Sequence, residues 1–148
     1  MRYNQHLSYN LSSTPLVYGQ IELKPAHRFT CCFLVDHIIN EEYIRSQARQ
    51  LFLAGCREFV FVGREAERWH IGFDEVDIAL NLNGTSEPVA VTTSYADKRT
   101  FADMLRNRLS EETLVPHDYI LVYDDPVLYQ KILNLLGFSL QKIISAAF

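Results

Sequence analysis

Phe29-Thr-Cys-Cys-Phe-Leu-Val35, then Asp36-His37-Ile38-Ile39-Asn40, then Glu41-Glu42-Tyr43-Ile44-Arg45: these seventeen residues decide how the chain is read. The first seven are apolar apart from Thr30, the mark of a strand buried on both faces rather than one. Asn40 can cap a helix, and Glu41 and Glu42 suit the positive end of its dipole. Ile44, Ala48, Leu51 and Phe52 then recur with helical period, Arg45 follows Glu41 by four residues, and Gly55 offers a left-handed stop. A strand that leads straight into an amphipathic helix is half of a parallel crossover.

The same unit recurs down the chain. Residues 59–62 form a second apolar run ending at Gly63, after which Ala66, Trp69, Phe73 and Val76 make one stripe with Gly72 inside it. Residues 89–93 form a third run, followed by Asp97 as cap to a helix carrying Phe101, Met104, Leu105 and Leu109. The fourth run, 119–123, precedes Asp125-Pro126, an aspartate cap with proline at the first helical position, and the helix closes at Gly137. Four alternations predict a small α/β domain of the Rossmann-like kind: an open, doubly wound, mainly parallel sheet of four core strands with helices on both faces. Further strands are expected only at edges, around residues 16–23, 78–82 and 138–144. Residues 1–27, polar and containing Pro15 and Pro25, are read as an N-terminal arm or extra strand, and 28–148 as the single domain.

Composition agrees. The 148 residues are 48% hydrophobic and 22% charged, which excludes a disordered, collagen-like or coiled-coil chain. No window reaches the ~18 apolar residues of a membrane span, and the leading residues lack the apolar stretch of a secretory signal. With 14 basic against 18 acidic side chains the net charge is −4, unsuited to general binding of nucleic-acid phosphates. Cys31, Cys32 and Cys56 have neither CxxC spacing nor histidine partners, so they read as core thiols of a cytoplasmic protein, and no metal site is expected from them.

In sheets of this kind ligands settle beyond the carboxyl ends of the strands. The residues there are Asp36-His37, Gly63-Arg64, Ser94-Tyr95 and Asp124-Asp125. Two readings follow. The favoured one is a non-enzymatic protein-binding module without cofactor: a small acidic inhibitor or immunity-type protein that neutralises a basic partner, able to form a homodimer through an exposed edge strand. Its binding residues would be Trp69 as aromatic anchor with Asp74, Glu75, Asp77, Ser94 and Tyr95. The alternative is a magnesium-dependent hydrolase or phosphotransfer enzyme, with Asp36 and Asp124 holding the ion and Arg64 clamping phosphate. The Gly-x-Ser-x-Gly elbow, the Walker loop and the Gly-x-Gly-x-x-Gly turn are all absent, and so is a histidine pair at i, i+4.

Overall fold

The computed structural model describes residues 5–10, 28–82, 84–85, 87–111 and 117–137. Five strands form one open sheet: β1 (Gln5–Asn10), β2 (Arg28–Leu34), β3 (Glu58–Val62), β4 (Val91–Tyr95) and β5 (His117–Tyr123). Their order is β1-β5-β2-β3-β4, and every neighbouring pair is parallel. Four helices alternate with them: α1 (Glu41–Leu53), α2 (Ala66–Leu80), α3 (Lys98–Ser110) and α4 (Pro126–Leu136). The doubly wound α/β architecture is thus observed, with β1 added at one edge.

Period two along the central strands sorts the core into two layers. Cys31, Phe33 and Val35 of the β2 segment, with Phe59 and Phe61, meet Ile44, Leu51 and Phe52 of α1 and Trp69 and Phe73 of α2. Cys32 and Leu34, with Val60, Val62 and Leu121, face Phe101 and Leu105 of α3 and Leu128 and Ile132 of α4. Cys31 and Cys32 therefore point to opposite sides of one strand, and all three thiols are free and buried.

The helix ends follow their sequence signals. Asn40 accepts from the Tyr43 N–H at 2.9 Å, Asp97 from those of Arg99 and Thr100, and Asp125 from that of Val127 at 2.8 Å. After α1, Gly55 at φ +97° lets Gly55 N–H reach Phe52 O and Cys56 N–H reach Leu51 O. That paired return closes the helix and starts the chain toward β3.

Among the boundaries that differ from the sequence reading, two have a clear local cause. Residues 78–80 belong to α2, not to an extra strand: Gly72 stays helical and the helix ends at Asn81, the left-handed residue at φ 49°. Gly72 is retained for packing, because a Cβ there would lie 2.8 Å from Ile44 Cγ2, so glycine sets the approach of α2 to α1. Strand β4 starts at Val91 rather than Val89. The N–H groups of Val89 and Ala90 turn to the Asp77 carboxylate, and pairing with β3 opens with Val91 N–H to Arg57 O at 2.8 Å. The expected edge strands at 16–23 and 138–144 fall outside the described residues. Among the described residues, no helix is long and apolar enough to cross a membrane.

Candidate functional site

The carboxyl ends of β2, β5 and β3 bring Asp36, Asp124 and the Gly63-Arg64 turn together, as the parallel arrangement requires. Asp124, 4% exposed, accepts the N–H of Asp36 on one oxygen at 2.9 Å, and those of His37 and Ile38 on the other at 2.8 and 2.7 Å. Three successive backbone donors around one anion make a nest, the device that α/β proteins aim at phosphates. Here the chain's own carboxylate fills it.

Asp36 is committed in the same way. Its Oδ1 accepts the Arg64 N–H at 2.8 Å. Gly63, at φ +116°, passes so close to β2 that a Cβ would lie 2.4 Å from Val35 O, so only glycine allows this crossing. The loop is pinned a third time where Trp69 Nε1 donates to Ile38 O at 2.9 Å. The two carboxylates proposed for magnesium are therefore adjacent in space, Asp124 buried on three amides and Asp36 holding one amide on Oδ1 while it also lines a polar cleft. Among the described residues no group of three or more His, Cys, Asp or Glu side chains could hold a metal ion.

The side chains of His37 and Asp125 stand outside this knot. His37 Nε2 meets Asp125 Oδ2 at 2.8 Å, and this contact raises the imidazole above its usual value, against slight desolvation. Asp125 is held below the carboxylate range by the Val127 N–H and by His37. Between the ends of β3 and β4 lies a polar cleft of about 320 Å³ lined by Asp36, Gly63, Arg64, Ala96, Asp97 and Lys98.

The residues expected to bind a partner divide into two sets. Trp69 is fully buried against Phe33 and Phe73, so its ring belongs to the core and is no surface anchor. Asp77 is likewise buried, spent on Val89 and Ala90. Tyr95 is half-buried with its ring edge-on to Phe101, 5.9 Å between centroids. Asp74 and Glu75 remain at the surface, 42% and 54% exposed, and Glu75 pairs with Arg45 at 3.3 Å.

Ser94 joins a network that single-residue reading missed. Thr92 donates its one hydroxyl proton to Asp74 Oδ1 at 2.8 Å. Toward His70 Nε2, 2.9 Å away, Thr92 can then only accept, so Nε2 is the donor to Thr92, while Nδ1 and the Ser94 hydroxyl form the second bond. Asp74 also lies 3.3 Å from Nε2. Ser94, His70, Thr92 and Asp74 are each satisfied, and together they tie α2 to β4. Since Ser94 lies within the strand rather than on a strained turn, its hydroxyl is held in the seam between helix and sheet. The signal was present in the sequence as His70 and Asp74 at i, i+4, with Thr92 and Ser94 at strand period.

Outward from that seam α2 carries an uncovered stripe. Ile71 and Ile78 are 50% and 46% exposed, with Glu75 between them at helical spacing, and Leu82, 42% exposed, lies just past the helix end at Asn81. A groove of about 370 Å³ runs between α1 and α2 beside this stripe, with Ile71 and Glu75 on its wall. Arg45 and Arg68 are paired there with Glu41, Glu75 and Glu65.

Residues 6–113 match the family described as "Domain of unknown function (DUF7684)", and the chain belongs to that family. No curated protein and no solved structure matches the chain.

Proposed function

We propose that this chain is a non-enzymatic binding module of the cytoplasm, an acidic inhibitor of immunity type that neutralises a basic protein partner through the outer side of α2. One observation carries the reading: Ile71 and Ile78 lie exposed on α2, with Leu82 exposed just past its end, and the helix bears the surface acids Glu67, Asp74 and Glu75 against the single arginine Arg68. Apolar groups in an acidic frame suit a partner whose basic residues surround an apolar spot. The frame governs approach, and the apolar contacts govern residence. The net charge of −4 acts in the same direction by steering. Cytoplasmic residence is supported by three free thiols in the core. The Asp36–Asp124 pair lends the enzymatic reading little support, since Asp124 is committed on both oxygens to three backbone donors and Asp36 on one oxygen to the Arg64 N–H.

The test uses the purified chain as bait, in wild-type form and as Glu75→Lys and Ile78→Ser, both exposed positions that leave the core intact. The expected partner is basic. Its association slows with added salt and slows further in Glu75→Lys, while Ile78→Ser mainly speeds dissociation. A captured partner whose kinetics ignore salt and both substitutions would overturn the assignment of this surface.

A further inference from the structure

Two thiols far apart in the chain meet at the amino end of the sheet, opposite the Asp124 rim. Cys31 is the fourth residue of β2, and Cys56 lies on the turn that α1's glycine closure delivers into β3. Their Sγ atoms are 3.3 Å apart in the layer beneath α1. Cys56 also borders a surface cleft of about 300 Å³, whose wall includes Arg28, Arg57, Glu58 and His117. Cys31 is fully enclosed behind it, and Cys32 is fully enclosed on the other face of the sheet.

We infer that Cys31 and Cys56 form a redox-sensitive dithiol, with Cys56 the thiol that a peroxide reaches through the cleft and Cys31 the thiol that resolves it into an intramolecular disulfide. A hydrogen bond from Cys31 holds Cys56 below the usual thiol range, helped by backbone hydrogen bonds and the charge of Arg57 against the opposing desolvation. Cys31, as donor, is held well above that range. Burial pushes the Cys32 thiol up and leaves it protonated.

The chemistry balances with hydrogen peroxide as oxidant. The Cys56 thiolate sulfur attacks one peroxide oxygen, the O–O bond breaks, and the departing oxygen leaves as water after taking a proton, giving a sulfenic acid on Cys56. The Cys31 sulfur then attacks the Cys56 sulfur. The S–S bond forms, the S–O bond breaks, and the hydroxyl leaves as a second water with the Cys31 proton. Two thiols lose two electrons and two protons, and one peroxide becomes two waters. The sulfurs need close by only about an ångström to reach disulfide length. The product would tie β2 to the entry of β3, over a loop that contains the whole of α1.

The experiment exposes the folded chain to hydrogen peroxide, blocks remaining thiols after unfolding, and reads intact mass and tryptic peptides. The expected result is a mass loss of two hydrogens, one alkylatable thiol left of three, and a link between the peptides 29–45 and 50–57 that dithiothreitol reverses. Cys32→Ser forms the same link, whereas Cys31→Ser stops at a Cys56 sulfenic acid that dimedone traps. Fragmentation of the linked wild-type peptides distinguishes Cys31 from Cys32, which share the peptide 29–45, so the wild-type measurement stands even if a variant fails to fold. A link through Cys32, or progression of Cys56 to sulfinic acid with no link to Cys31, would overturn the inference.

Discussion

Replacing Asp124 by alanine removes the acceptor for three backbone N–H groups at once, those of Asp36, His37 and Ile38. Bonds of this kind to a charged acceptor contribute about 1.5–3 kcal/mol each when water cannot substitute. The donors are part-buried, so water reaches some of them in the variant and the lower figure applies. Two uncompensated donors plus one rehydrated one place the loss at about 3–4 kcal/mol. That is a large share of the ~5–15 kcal/mol typical of a whole domain. Asp124→Asn keeps one oxygen. Placed where Oδ2 now stands, it still accepts from His37 and Ile38, while its amide opposes the Asp36 N–H, so the loss falls to about 2 kcal/mol.

Urea unfolding followed by tryptophan emission suits this test because Trp69 is the chain's one tryptophan and its indole N–H holds Ile38 O. In the native baseline of Asp124→Ala the emission should shift to the red as the loop loosens and water reaches the ring. The reasoning fails if Asp124→Ala costs under about 1 kcal/mol, or if alanine and asparagine cost the same, since the ranking rests on the count of surviving acceptors.

Gly72→Ala should destabilise by about 1–3 kcal/mol although alanine is the better helix former, because the new methyl meets the stiff Cγ2 branch of Ile44; a neutral or stabilising result in thermal melting would show that α1 and α2 can part freely. Asn40→Ala should cost about 1 kcal/mol through loss of the α1 cap to Tyr43, and an unchanged urea midpoint would refute that role. His37, raised by Asp125, contributes its stabilisation fully below the unfolded imidazole value and loses it as pH rises through the folded one, down to the acid limit where Asp125 itself protonates. His37→Gln should therefore lower the melting midpoint more at about pH 5.5 than at about pH 9, and a decrement equal at both would contradict the ion pair.

What the sequence made legible is what local chemistry determines. The cap at Asn40, the proline start at Pro126 and the glycine stops are decided within a few residues, and each lies where its side chain implied. The alternation of strand and helix required parallel pairing, and every neighbouring pair is parallel. The binding roles of Trp69 and Asp77 fail for a common physical reason. Aromatic and acidic side chains serve interfaces, but the Trp69 ring follows its place on the apolar stripe into the core with its N–H on Ile38 O, and the Asp77 carboxylate finds two amides that the chain supplies twelve and thirteen residues later.

Asp124 shows the limit best. A carboxylate at a strand end satisfies a magnesium ion or a cluster of amides with the same oxygens, and its residue type cannot separate the two. The separation depends on where a loop 86 to 88 residues away points its N–H groups, a property of backbone angles rather than of any motif. With that nest filled from within, Asp124 acts as a structural joint at the rim where most α/β proteins hold ligands. Ile71 and Ile78 on the outer side of α2, away from that joint, keep apolar surface in contact with water beside the acids that frame them.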